Sequence, residues 1–454
     1  MRRYFNVTLR SVNSQQFVLG LVPIKEKCTA EKTKELVEYV LNEFGVNLRK
    51  DVVASTNDGA SVMVKYCSII TAEKQLCYNH AIHLAVLKVL YKKVETEDII
   101  IDEDEREFLY EDEDEQEEEL LNEGNLVILE NSENHVLVSD IKPALYEMRK
   151  LIKFFKYSTV RTEILLKHVK QKEGKELKLI LDVKTRWNTL ASAIQRFLKL
   201  IDCINNALEE LGLESFNENY VNVLKNVSIT LEPTMLAVQE LSKNSANLIT
   251  AEGTILYVFQ KLKQIDSELS KKLLEVIKNE IEKRRNKEIV SLLIFLHQGS
   301  YPTKSNDNEF LNYSSKNVIK MYAKKLFERL FLEEENNDEH SEDENSEIEI
   351  QEDNITETTE YNSLQKCIEN LTKLKKPKSS FNIDKQFKYI EGNEGKRSEN
   401  MDNLYEALLT ISPTSTSCER VFSVSGNTIT KIRSRLSTNT INAIVFLKYY
   451  FNKT

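Results

Sequence analysis

"DVVASTNDGAS", Asp51 to Ser61, is the stretch whose reading decides the fold. Its first half is rich in β-branched residues and predicts a short strand. Its second half carries Asn57, Asp58 and Gly59, residue types that turn a chain sharply. What precedes it gives that strand neighbours. "RRYFNVTLRSV" and "QQFVLGLVPI" are dense in β-branched and aromatic residues, and Val12-Asn13-Ser14 between them predicts an antiparallel hairpin. "TAEKTKELVEYVLNEFG" then sets Leu36, Val37, Val40, Leu41 and Phe44 at helical spacing, with Thr29 as cap and Gly45 as stop. Strand, strand, helix, strand opens an α/β domain built on a mixed sheet.

Beyond Ser61 the pattern turns helical. "LCYNHAIHLAVLKVLYKK" reads as a helix from about Cys77 to Lys93, and "DIKPALYEMRKLIKFFKYS" as a basic amphipathic one. "LKLILDV", which contains Asp182, predicts one more strand, and from there to about Leu332 nearly everything has helical period. "KPKSSFNIDKQFKYIEGNEGKRSE" is expected to be rich in loops. The last segment, from Met401, holds two or three helices and a very hydrophobic end. No internal repeat is visible.

The formal net charge of −10 looks unsuited to nucleic acid, but it conceals two acidic blocks. Glu95 to Glu123 holds 17 Asp or Glu against one Arg, and Glu333 to Glu360 holds 14 with no Lys or Arg. Neither has a sustained apolar period, so the first is expected to be a disordered loop and the second part of a linker. Outside them 41 acids face 61 bases, and a basic body is what contact with a phosphate backbone requires. The six cysteines, at 28, 67, 77, 203, 367 and 418, form no CxxC pair and suggest reduced thiols rather than a disulfide framework. No signal peptide is evident. The longest apolar runs, such as "SLLIFL" at Ser291 to Leu296, fall far short of the about 20 residues of a membrane span.

Several places carry possible chemistry, each with an ordinary structural reading beside it. Asp58 at the end of a strand could hold Mg²⁺, or could simply belong to a common Asp-Gly turn. Cys77 and His80 lie one helical turn apart, but zinc would want two further ligands and no second pair follows at finger-like spacing; a satisfied histidine is the plainer reading. Trp187, the one tryptophan, adjoins Arg186 and could stack on a base or anchor a core. Lys431, Arg433 and Arg435 could contact phosphates or form a solvated helix end. In "SPTSTSCERVFS" the acid Glu419 stands beside Arg420 just inside a helix whose Ser/Thr run suits capping. "INAIVFLKYYF" packs Ile441, Ile444, Val445, Phe446, Leu447, Tyr449, Tyr450 and Phe451 into 11 residues, more apolar surface than one helix usually hides within its own domain. "EKRRNK", Glu282 to Lys287, is a weak basic import-like patch or an exposed helix face.

"RRYFNVTL", "STNDGASVMVK", "CYNHAIHLAV", "LDVKTRWN" and "PTSTSCERVFSVSGNTITKIRSRLS" with "FLKYYF" occur in that order, and together they resemble the hAT superfamily of DNA transposases, including domesticated relatives with BED zinc fingers. The resemblance implies an RNase H-like core interrupted by a large all-α insertion, with a C-terminal helical dimerisation region. The corresponding spans are 1–93 for the first part of the core, 94–137 for an acidic loop and 138–182 for its helices and last strand. They continue with 183–332 for the helical insertion, 333–400 for an acidic, loop-rich linker and 401–454 for the dimerisation helices.

It further implies that Asp58 and Glu419 are the second and third carboxylates of a Mg²⁺-binding DDE triad, and that Cys77 and His80 match the Cys-x-x-His pair near that site. Trp187 would serve the flanking DNA end, with Arg186, Arg420, Lys431, Arg433 and Arg435 as further DNA contacts. The family's first Asp precedes the hairpin with which this sequence opens, where the first Asp of any kind is Asp51, and no BED finger is present. The expectation is therefore an N-terminally truncated, catalytically inactive transposase-like nuclear protein that forms a homodimer or higher oligomer and binds DNA, with no membrane or small-molecule partner. The alternatives are an active transposase or nuclease whose gene model lacks an upstream exon, and a non-enzymatic nuclear scaffold.

Overall fold

The computed structural model describes residues 3–13, 15–24, 28–93, 135–137, 141–182, 187–302, 311–331, 382–393, 395–428 and 437–451. Strands β1 (Arg3–Arg10) and β2 (Gln16–Ile24) form the expected antiparallel hairpin, in register from Arg3 opposite Ile24 to Arg10 opposite Gln16, with an irregularity between Val7 and Thr8. Helix α1 (Ala30–Asn42) starts where the Thr29 side chain accepts the Lys32 amide, and it buries Val37, Val40 and Leu41. It ends in a turn that needs Gly45, at φ +68°.

Strand β3 (Ala54–Asn57) then pairs in parallel with β4 (Glu73–Leu76) across the short helix α2 (Ser61–Ile69). Parallel neighbours cannot be joined by a tight turn, so this crossover is the α/β element of the chain. Neither α2 nor β4 was expected. Helix α3 (Tyr78–Leu90) is shorter than predicted, because Tyr91–Lys93 form strand β5, antiparallel to β6 (His135–Leu137). Residues 135–137 therefore belong to a strand rather than to the acidic loop assigned to 94–137; the rest of that loop lies outside the described residues. Among the described residues the strands form three separate two-stranded ladders, where the sequence led us to expect one mixed sheet.

The bulk is helical. Helices α4 (Lys142–Lys156), α5 (Thr159–Glu173), α6 (Trp187–Lys199), α7 (Ile201–Glu210), α8 (Glu218–Leu241), α9 (Leu248–Gln264) and α10 (Glu268–Glu282) share one core with α3. The strand expected at "LKLILDV" is absent: residues 176–182 carry no regular secondary structure. Leu177, Leu179 and Leu181 instead lean on the helical core, which uses the same alternation for one-sided packing.

A second core joins α11 (Lys287–Gln298), α12 (Lys316–Phe331), α13 (Ile383–Gly392) and α14 (Glu399–Leu409) to Val53. Helix α13 falls where a loop was expected; Phe387 and Ile390 face the core while Asn382 caps its start. The boundary drawn at 332 and the one at 401 both cut this core. Helices α15 (Thr416–Thr428) and α16 (Thr438–Phe451) return to the hairpin, where Val421 and Ile441 bury against Leu21 beside Tyr4 and Val18. No helix among the described residues is long and apolar enough to cross a membrane.

Candidate metal and nucleic-acid site

The parallel register builds the site. Asn57 and Leu76 are the last partners of β3 and β4, so the next residues, Asp58 and Cys77, leave the same edge side by side, and the Cys77 amide donates to the Asn57 carbonyl at 2.7 Å. A parallel pair whose C-terminal ends carry functional groups is where α/β proteins commonly place ligands. Cys77 is also the residue at which α3 begins, which puts His80 in the first turn of that helix.

Residues 412–416 then lie against this edge. The Thr56 hydroxyl donates to the Ser412 carbonyl, the Tyr78 amide to the Pro413 carbonyl, and the Ser415 amide to Cys77 Sγ at 3.4 Å. With α15 starting there, Glu419 arrives at the site: one ligand atom from each of Cys77, His80 and Glu419 lies within 4.8 Å of the others. Asp58 stays just outside that trio, close enough for its charge to act on Glu419.

The Ser/Thr run does more than cap. Thr414, Ser415 and Thr416 are buried. Thr414 Oγ1 donates to the Leu241 carbonyl, and Asn79 Nδ2 donates to both Ser242 Oγ and Thr416 Oγ1. The neighbours Glu419 and Arg420 then part company. Ser415 Oγ donates to Glu419 Oε1 at 2.9 Å, while Arg420 reaches the other way to cap α8, donating to the Ser242 carbonyl and to Asn244 Oδ1. Arg420 is thus held by the helical body, and its side chain fixes the start of α15 against α8.

Burial, and after it the Asp58 charge, hold the Glu419 carboxyl above its usual range, although His80, Ser415 and Arg420 pull the other way. Burial, reinforced by Glu419, pushes the Cys77 thiol up to about 11. Glu419 Oε2 and His80 Nδ1 are buried without a hydrogen-bond partner. Such groups are costly unless something satisfies them.

Asp58 is held as a turn: its Oδ1 accepts the Ala60 amide, and its carbonyl accepts Arg284 Nη1 at 2.8 Å. Gly59 sits at φ +96°, and a Cβ there would meet Arg284 Nη1 at 2.6 Å. Arg284 was missed as a contributor because "EKRRNK" looks like a surface patch; the next residue, Arg285, is in fact buried in a two-pronged pair with Glu252. Gly59→Ala is expected to lower stability by about 1–2 kcal/mol through left-handed strain alone, since the Arg284 side chain can move aside. A thermal unfolding midpoint indistinguishable from that of the natural chain would contradict this reading.

The other sequence candidates are scattered. Trp187 is a core residue, 2% exposed, at the first position of α6. Arg186, Lys431, Arg433 and Arg435 lie outside the described residues. On α16, Ile441 is buried, Ile444 is half-buried, and Phe446 and Leu447 are exposed; the side chains of Val445, Tyr449 and Tyr450 lie outside the described ones.

Residues 360–451 match the hAT family C-terminal dimerisation region. The match supports hAT membership and self-association, and it spans α13 to α16, hence Glu419, Arg420 and the exposed part of α16. No curated protein matches the chain.

Proposed function

We propose that the protein is a hAT transposase-like DNA-binding protein that self-associates through 360–451 and does not cleave DNA with the groups assembled in these residues. The observation that carries the reading is the meeting of the strand ends bearing Asp58 and Cys77 with the helix bearing Glu419, a helix that lies within the matched region. In this reading β1, β2, α1 and the β3–α2–β4 unit belong to an RNase H-like core into which the α6 to α12 helices are inserted. The basic body outside the two acidic blocks, with Arg186, Lys431, Arg433 and Arg435, supplies phosphate contact, and DNA as partner implies nuclear residence.

Two-metal phosphoryl transfer asks for hard oxygen ligands around two Mg²⁺ ions about 3.5–4 Å apart. Glu419 is met here by a thiol and an imidazole, with Asp58 outside the close trio. That donor set does not fit a Mg²⁺ pair, and no cleavage step is assigned to it.

The test combines duplex binding with nicking by the 454-residue chain, beside Asp58→Ala and Glu419→Ala. Binding is expected to weaken at least about tenfold between about 50 and 200 mM salt, because released counterions drive it. Nicking in Mg²⁺ or Mn²⁺ is expected to be no greater than in the variants. Metal-dependent cleavage abolished by both substitutions would replace this reading with an active nuclease. A folded dimer with no DNA affinity at low salt would replace it with a scaffold.

A further inference from the structure

We infer that Cys77, His80 and Glu419 form a three-ligand site for a borderline-soft divalent ion, Zn²⁺ by its chemistry, with a fourth position open to water. This goes beyond the DNA-binding reading and does not depend on it. The argument begins with the donors: one sulfur, one imidazole nitrogen and one carboxylate oxygen make up a set that Zn²⁺ accepts and Mg²⁺ does not favour. Three protein ligands and one open position is the usual composition of a zinc site that is not purely structural. Sequence spacing alone offered only the Cys77–His80 half; the third ligand comes from α15, and Ser415 stands 338 positions from Cys77 where the two segments touch.

The geometry is close to closed. Zinc bonds of about 2.0–2.3 Å imply ligand atoms about 3.5 Å apart. The three ligand atoms lie within 4.8 Å of one another, so a filled site requires at most a small side-chain adjustment. His80 Nδ1 and Glu419 Oε2 are among the buried side-chain atoms that lack hydrogen-bond partners, and a cation held between them satisfies both.

The surrounding contacts already orient two ligands, as the outer contacts of metal sites do. The Ser415 amide points at Cys77 Sγ, and the Ser415 hydroxyl holds Glu419 Oε1, which leaves Oε2 to bind. Zinc binds the thiolate, so forming the sulfur–zinc bond releases the Cys77 thiol proton to solvent.

The experiment uses the full chain, with zinc measured after exhaustive dialysis and Co²⁺ as the optical probe. About one zinc per chain is expected, together with a thiolate-to-cobalt charge-transfer band and tetrahedral visible bands. Both are expected to vanish in Cys77→Ser and in His80→Ala, and to persist in Asp58→Ala. His80 is only half-buried, so the His80→Ala chain is expected to fold even if Cys77→Ser does not, which circular dichroism and the unfolding midpoint report. No retained metal in a folded natural chain would overturn the inference, as would cobalt bands that survive His80→Ala. Neither result bears on DNA binding or on Mg²⁺-dependent nicking, which are read separately.

Discussion

Asp182→Ala is expected to destabilise the fold by about 3–5 kcal/mol, a large fraction of what holds a domain of this size together. Asp182 is 1% exposed at its side chain and receives both prongs of Arg149, Nε to Oδ1 at 2.9 Å and Nη2 to Oδ2 at 2.5 Å. Arg149 belongs to α4 and Asp182 ends the irregular stretch 176–182, so the pair clamps that stretch to the large helical core. Removing the acid strands a guanidinium in surroundings that cannot hydrate it, and this penalty, rather than the attraction of the intact pair, sets the size of the effect. Arg149→Met with Asp182→Leu is therefore expected to recover most of the loss. Urea unfolding of the natural chain and of the two variants decides the matter. A single-variant loss within about 1 kcal/mol would mean that the stretch lifts away from the core and lets water reach Arg149.

The same residue shows where sequence reading stops. "LKLILDV" alternates like a strand, and nothing in it marks Asp182 as the partner of a buried arginine. Alternation reports only that one side is apolar; it does not say whether a neighbouring strand or a set of helices covers that side. The opposite error occurred at β4. "EKQL" is three-quarters polar and gave no strand signal, yet its backbone completes the ladder with β3. Glu73 is met at long range, where the Tyr322 hydroxyl donates to its Oε2, whereas Gln75, fully buried, donates only to the adjacent Leu76 carbonyl and leaves its Oε1 without a partner.

The hairpin, and α1 with Thr29 and Gly45, were legible because turn and capping chemistry is local. The pairing of Asp58 with Cys77 was not, because it depends on a parallel register between segments joined by an unforeseen helix. Glu419 could be singled out from its helix start, but its thiol and imidazole company could not. Nor could the divergence of Arg420 onto α8, which depends on the insertion folding back against the C-terminal helices.

Phe446→Glu with Leu447→Glu is expected to convert the self-associated form to monomers while leaving the fold intact. Helix α16 turns about 100° per residue, so positions five and six beyond Ile441 lie roughly on the opposite side of the helix from it. Ile441 faces inward against Leu21 and Val421, and Phe446 and Leu447 are 42% and 48% exposed. Both lie within the match to the hAT dimerisation region, and a second copy of this chain is expected on that outer face.

Burying a Phe or Leu is worth about 1.5–3 kcal/mol, and a two-fold interface counts every substitution twice. Four such side chains therefore contribute about 6–12 kcal/mol, more than four orders of magnitude in the dissociation constant. Carboxylates at the same places add a desolvation cost to that loss. Light scattering on eluting protein, at micromolar concentration, should show the monomer mass, and the unfolding curve should stay single and cooperative at a lower, concentration-independent midpoint. An unchanged dimer mass would move the interface off this face. A monomer that has also lost its helicity would mean that the outer face of α16 is held by this chain's own fold.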